Sequence, residues 1–481
     1  MTSVPNSRHA RPAALRATAA CALALVAALA FPGAALAWGN GKSRSGNGFG
    51  THDWVLFEAS KYASAHGAAW LDNGVAIAAS DDPDTRLKRD QKYHEYDRWG
   101  KRSGYADARV RAWYKQAVAS LKAGDTRAAS YSVGMMSHYY ADAGDPLHTD
   151  DSSTEKRMHD RYEKTVDSKL SRQGANATWV RYDGYKRVSD PAALTVSSAR
   201  AAHGSYKKLV NEYNKRRYSS TTNKITQASM NRTVNGLADL IVSIQEDAAY
   251  QTVSPDVAAH QGVATDGTYY YVIHTNWIEK YDRSWTSVDA TFSPMHDVEG
   301  LSDSAFQHLG SGTYYNGKLY VVAENYPAVT DQHILTFDAS TMERIASVAT
   351  SQTHEVSSIA AVPDEGPNGV LYVASYYDGS QLFKYDLKDQ TYLGSMPLSP
   401  ALPAGIQALA YHNGRFYLGK GNSSSLGLVF VADRSGTTKL IYTSTIPGWH
   451  EGFDFLGENL IWLVDRGFGN SRVWTLKLPP H

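Results

Sequence analysis

The sequence predicts a multidomain α plus β protein, an all-α half followed by a five-bladed β-propeller. Three observations carry this reading. Apolar residues recur at helical spacing until about residue 249, and from about Tyr250 the period falls to two. Five copies of a strand–turn–strand pattern then follow one another to the end of the chain. Within the helical half, His138/Asp142 and His159/Glu163 are spaced i, i+4, which stacks each pair on one helix face.

Composition narrows the classes of function. The chain has 481 residues, and its 48 basic and 48 acidic side chains cancel, so no nucleic-acid partner is expected. Arg8, Arg11 and Arg16 precede an apolar run over residues 17–30, and Ala35-Leu36-Ala37 has the form of a cleavage site. Residues 1–37 therefore read as a secretory signal peptide, and the protein as secreted and extracellular. Cys21, the sole cysteine, falls inside that segment. An exported chain without disulfides needs rigidity from another source, and bound metal is one. Cleavage after Ala37 leaves Trp38 as the new terminus, whose amine and carbonyl can together chelate a metal. Trp38 can equally begin a Gly/Asn/Ser leader over residues 39–50, and spacing alone leaves both open.

Thr51 is placed to cap a first helix with apolar residues at Val55, Leu56, Ala59 and Ala63, and His52 sits in its first turn. Residues 78–84 form an acid-rich loop containing Asp81 and Asp82, and His94 follows in Tyr-His-Glu-Tyr-Asp. Further helices are expected over 105–122, 126–140, 154–171, 190–214 and 224–249. Asp145-Pro146 stops the helix bearing His138 and Asp142 just before His148, since proline lacks a donor and restricts the residue ahead of it. A lone histidine pair is usually a surface or core feature. Three histidines and two helix-phased carboxylates in so short a stretch point instead to metal ligation.

Taken in order, Trp38, His52, an aspartate of Asp81-Asp82, His94, His138-x3-Asp142, His148 and His159-x3-Glu163 resemble the zinc-dependent phospholipase C family. That family includes the bacterial phosphatidylcholine-preferring enzymes and clostridial alpha-toxin. The resemblance spans residues 38–249 and implies an all-α domain holding three zinc ions. It implies one zinc on His148, His159 and Glu163, and a second on His94, His138, Asp142 and the loop aspartate. The third falls to Trp38, His52 and a bridging Asp142. Asp81 follows Ala-Ala-Ser, as the family's ligand follows small residues, with Asp82 one step away. The loop aspartate is also the implied catalytic residue, orienting water as a general base. The position after it, often aromatic in choline-preferring enzymes, is Asp82 or Pro83 here, which weakens an expectation of choline preference.

The S1/P1-type nucleases have a similar arrangement, with a long insert and a Gly-Gly-Asn element between the last two histidines and a closing aspartate. Here ten residues separate His148 from His159, and the closing ligand is Glu163. The resemblance thus implies a secreted phospholipase C. Such an enzyme would cleave the glycerol-side phosphodiester of phospholipids, at a membrane surface or in lipid aggregates, to diacylglycerol and a phosphorylated headgroup. A zinc nuclease or phosphomonoesterase, and an inactive surface-binding protein, are the alternatives.

In residues 250–481, turns at Asp266-Gly267, Asn316-Gly317, Asn368-Gly369, Asn413-Gly414 and Gly457 each enter a strand, and their glycines lie 43 to 52 residues apart. The fifth copy lacks an outer strand, which Tyr250-Gln-Thr-Val253 can supply to close the ring. A polar–small–apolar motif is expected to form the inner strands, with Gln261, Glu299, Ser357, Gln407 and Glu451 in a ring about the axis. His260, His296, His354 and His450 are expected near its mouth, and Glu299 with Glu451 could hold a cation if channel water does not simply solvate them. The propeller's own ligand is not legible, because propellers host many functions.

Overall fold

The computed structural model describes residues 48–87, 90–97, 104–150, 152–301, 307–325, 331–350, 355–403, 405–423, 426–467 and 470–481. Trp38, the proposed signal segment and His354 lie outside them. Among the described residues, eight α-helices come first: α1 (Thr51–Ala65), α2 (Asn73–Ser80), α3 (Asp82–Arg86), α4 (Ala106–Lys122), α5 (Thr126–Gly144), α6 (Ser153–Leu170), α7 (Pro191–Arg216) and α8 (Ser220–Ala249).

Their boundaries follow from local chemistry. Asp125 caps α5 by accepting from Ala128 N, and Asp190 caps α7, with Pro191 in the first position where no donor is needed. Helix α5 ends at Gly144, ahead of Asp145-Pro146. Helix α1 starts one residue away from expectation. Gly50 is its cap and Thr51 its first residue, because Asp53 accepts from Gly50 N and Asp167 accepts from Thr51 N. The expected acid-rich loop is also largely helical. Asp72 caps α2, and the Asp81 carbonyl accepts from Thr85 N, so the acids at 81–84 wind into α3 around Pro83. Trp54, Met136, Tyr139, Leu237 and Ile241 are among the side chains of the helical core.

Helix α8 runs directly into β1 (Tyr250–Val253). Four-stranded antiparallel blades then follow in chain order. Blade 1 is β2 (Gly262–Thr265), β3 (Tyr270–Ile273), β4 (Trp277–Tyr281) and β5 (Ser287–Phe292). Blade 2 is β6 (Gln307–Tyr315), β7 (Lys318–Asn325), β8 (Gln332–Asp338) and β9 (Arg344–Ala349). Blade 3 is β10 (Ser358–Val362), β11 (Val370–Ala374), β12 (Gln381–Asp386) and β13 (Tyr392–Pro397). Blade 4 is β14 (Ala408–His412), β15 (Arg415–Ser423), β16 (Leu426–Ala432) and β17 (Thr438–Ser444). Blade 5 is β18 (Trp449–Leu456), β19 (Asn459–Asp465) and β20 (Arg472–Leu476), completed by β1 on its outer edge.

The inner strands β2, β6, β10, β14 and β18 pack each against the next, and β18 against β2, so the ring closes. Both residues of Asn316-Gly317 and Asn413-Gly414 have positive φ, as a type I′ turn requires. The inner-strand motif holds for blades 1, 3, 4 and 5 but not for blade 2. Glu299 is exposed in a turn, and β6 takes the inner position with Ser311, against which Gly262 and Gly452 pack. The expected Glu299/Glu451 pair therefore does not form, and Glu451 instead accepts from Gln407 Nε2 at 2.5 Å.

Candidate metal centre

Five helical segments and one loop converge on the cluster. Helix α5 carries His138 and Asp142 on one face; α1 brings His52; α6 brings His159 and Glu163; α3 brings Asp84. His148 lies on the short 3-10 turn Leu147–Thr149 created by the Asp145-Pro146 stop, where Asp145 Oδ1 accepts from Leu147 N at 2.9 Å. The His148 carbonyl accepts from Tyr96 N at 3.0 Å, which ties this turn to the loop bearing His94.

Three groups share these residues: His52, His138 and Asp142; Asp84, His94 and His138; and His148, His159 and Glu163. Asp142 joins them. Its Oδ2 lies 2.8 Å from His94 Nδ1 and 3.3 Å from His138 Nε2. Its Oδ1 lies 3.4 Å from His52 Nε2 and 3.9 Å from His148 Nε2. In the remaining group, His159 Nε2 faces His148 Nε2 at 3.0 Å, and both imidazoles contact Glu163 Oε1, the His148 contact at 3.2 Å.

These separations fit shared metal ions. Ligands about 2.0–2.2 Å from one tetrahedral centre sit roughly 3.3–3.6 Å apart, close to the spacings seen here. Two imidazole nitrogens facing each other at 3.0 Å gain little unless a cation or proton lies between them. His52 Nδ1 and Nε2, His148 Nδ1 and Asp142 Oδ1 are buried with no hydrogen-bond partner, which is costly for polar atoms in a protein interior. The N/O donor set is one that zinc accepts.

The electrostatics agree. Burial, then the neighbouring imidazoles, push His52 and His148 well below the ordinary histidine range. Burial raises Asp142 well above the carboxylate range, and it lifts Glu163 to about 8 despite His159. For His138 burial is outweighed by the Asp142 and Asp84 carboxylates, which raise it. His138 Nδ1–H donates to the Ser80 carbonyl at 2.6 Å, which turns the Nε2 lone pair toward the cluster. Ser80 Oγ in turn donates to Asp53 Oδ1 at 3.0 Å, so the first turn of α1 steadies an imidazole on α5.

The expected residues His52, His94, His138, Asp142, His148, His159 and Glu163 are all brought together. Asp81 and Asp82 are not in the groups. Asp81 ends α2, and Asp82 pairs with Arg86 Nε at 3.0 Å and accepts from Tyr131 OH at 3.0 Å. The acid that faces the cluster is Asp84, whose Oδ1 lies 3.5 Å from both His94 Nδ1 and His138 Nε2. Asp84 closes the acid-rich stretch over residues 78–84, in which the sequence singles out only Asp81 and Asp82. The available signal was Pro83, which favours a helix start and so puts Asp82 and Asp84 at helical rather than loop spacing.

A helical bundle thus buries histidines and carboxylates as one candidate metal centre and runs on into a propeller. Residues 66–213 match the family model described as zinc dependent phospholipase C. That segment, about a third of the chain, contains every cluster residue except His52 and carries the likeness to zinc-dependent phospholipase C. No curated protein matches the chain. Similar solved structures include Myxococcus xanthus glutaminyl cyclase, at 12% identity and TM-score 0.35, covering 48% of this chain and 97% of that one. A putative exo-beta-1,3-galactanase from Bifidobacterium bifidum s17 has 13% identity and TM-score 0.36, covering 46% and 91%. The Bacillus subtilis arabinanase Arb43A has 16% identity and TM-score 0.35, covering 47% and 96%. Likenesses at this level say nothing of activity.

Proposed function

We propose that the protein is a secreted phospholipase C that binds three zinc ions and cleaves the glycerol-side phosphodiester of phospholipids. The products are diacylglycerol and a phosphorylated headgroup. The observation that carries this reading is Asp142, fully buried, with its two oxygens shared among His52, His94, His138 and His148. Zinc held there neutralises phosphate charge, lowers the pKa of bound water and stabilises a leaving alkoxide. Asp84, His94, His138 and Asp142 are the residues for one ion, and His148, His159 and Glu163 for another. His52 and Asp142, with the Trp38 amine and carbonyl, are those for the third.

The chain's own residues set the approach and the proton path. His94, His159 and Asp84 keep side-chain exposures of 10%, 10% and 6%, whereas His138 and Asp142 have none. The substrate phosphate therefore arrives on the side of the first three. Asp84, on that side, orients the attacking water and takes its proton. Asp82 holds the first turn of α3 through Arg86 and Tyr131. Residues 1–37 support export, and the lipid substrate implies work at a membrane surface or lipid aggregate.

The test is hydrolysis of a phospholipid headgroup panel beside single-stranded DNA and a phosphomonoester, before and after chelation. Chelator-sensitive lipid turnover exceeding both controls is expected. Faster cleavage of DNA or of the monoester would assign the centre to a nuclease or phosphatase. A Met retained ahead of Trp38 should weaken turnover far more than a C-terminal tag of equal length. Equal turnover would remove Trp38 from the ligand set.

A further inference from the structure

Among the described residues, ionisable side chains, two of the three buried, gather into one more ligand-like group, between blades 2 and 3. His308 on β6 and Glu324 on β7 are directly opposed in the antiparallel ladder, with His308 Nδ1 3.4 Å from Glu324 Oε1. Glu355 enters from the next blade, just ahead of β10. One ligand atom from each of the three lies within 4.8 Å of the others.

Glu324 is fully buried and Glu355 is 8% exposed. Val356 N donates to Glu324 Oε2 at 3.2 Å, but Glu324 Oε1 and Glu355 Oε2 are buried with no hydrogen-bond partner. Two neighbouring carboxylates beside the apolar Val322, Val356 and Ile359 cluster are costly without compensation. Burial and the Glu324 carboxylate raise Glu355 above the usual carboxylate range. Lys420 on β15 is attracted to Glu355, but its ammonium sits 4.7 Å over the Tyr376 ring and can balance only one negative charge. A shared proton or a cation must meet the rest.

We propose that His308, Glu324 and Glu355 form a divalent transition-metal site that pins blade 2 to blade 3. One imidazole with two carboxylates suits zinc or manganese better than calcium, which prefers an all-oxygen shell of six to eight ligands. Three protein ligands leave room for water or a small anionic ligand to complete the coordination. The site is separate from the helical centre, so it does not depend on the activity proposed there.

The test is metal content after equilibrium dialysis of the purified protein against Zn2+, and separately against Mn2+, for wild type, Glu324→Gln/Glu355→Gln and His308→Gln. With at least one of the two metals, both variants should bind one ion fewer per chain than wild type. They should keep hydrolysis of a soluble phosphodiester within twofold. If the double variant fails to fold, the count for His308→Gln decides. Equal metal content in wild type and a folded variant with both metals would overturn the site and leave the carboxyls sharing a proton.

Discussion

Asp82 and Asp84 sit two positions apart in one turn of α3, yet Asp82 faces Arg86 and Tyr131 while Asp84 faces His94 and His138. Asp84→Asn should lose roughly 100-fold or more in turnover together with a zinc equivalent, whereas Asp82→Asn should stay within a few-fold. Equal losses would put the assignment in question, and metal analysis beside kinetics distinguishes the two. Two propeller histidines make a separate prediction. His450 is 2% exposed and held down to about 3 by burial, and His274 is fully buried and held down to about 4. Both stay neutral in the fold while the unfolded chain takes protons below about 6.5, so each contributes stability that is lost as pH falls from 6.5 toward those values. The slope is about 1.4 kcal/mol per pH unit for each group. His450→Gln should flatten the fall in melting temperature between pH 6.5 and 4, and an unchanged slope would contradict the burial argument. At this scale the i, i+4 pairs were legible because helical geometry alone sets them. The His308–Glu324 pair was not, since it depends on the register between two strands.

Helix α5 is the element that the cluster is built on, and its fit against α2 leaves no slack. A Cβ at Gly134 would collide with the Ala76 carbonyl oxygen and the Ala79 side chain. Gly134→Ala should therefore destabilise the protein by about 1–3 kcal/mol through overpacking, read by urea unfolding. It should also weaken zinc binding, because α2 carries the Ser80 carbonyl that orients His138. A neutral substitution would contradict this packing. Helices α4 to α8 were legible within a few residues because caps such as Asp190-Pro191 and the Asp145-Pro146 stop are written locally. Helix α3 was hidden because an acidic run with proline reads as turn chemistry until its cap is seen, and α2 because its eight residues are too few to show a helical period. The inner strand of blade 2 was hidden for a different reason. Glu299-Gly-Leu-Ser matches the motif of the other blades, but β6 occupies the place with Ser311 and Gly312.

At the scale of the molecule, the helical half and the propeller share a buried polar joint. Glu246 on α8 pairs with Arg187 Nε at 2.9 Å and accepts from Tyr185 OH at 2.8 Å and from Thr445 Oγ1 at 3.0 Å. Gly67, at φ +86°, lets the chain after α1 pass the backbone of β17, where a Cβ would lie 2.7 Å from Tyr442 N. Glu246→Ala strips a buried acceptor from several donors and should cost about 2–3 kcal/mol. Calorimetry should then show the variant's unfolding broader or more split than the wild type's, and an unaltered profile would mean the joint does not couple the halves. The five-bladed ring was legible at this scale from the repeat of the turn glycines and the missing outer strand, which β1 supplies. The contact between the halves was not, because no local pattern records which loop of the bundle meets which blade.

In the proposed reaction the buried cluster directs water to the phosphorus of a lipid phosphodiester and expels diacylglycerol. Phosphorus NMR of products from mixed phosphatidylcholine and phosphatidylethanolamine vesicles, incubated with zinc-loaded protein in 18O-labelled water, tests it most directly. Phosphorylated headgroups carrying the label on phosphorus are expected, with turnover abolished in His159→Ala. Phosphatidic acid with free headgroup alcohol, or lipid left intact by fully zinc-loaded protein, would contradict it.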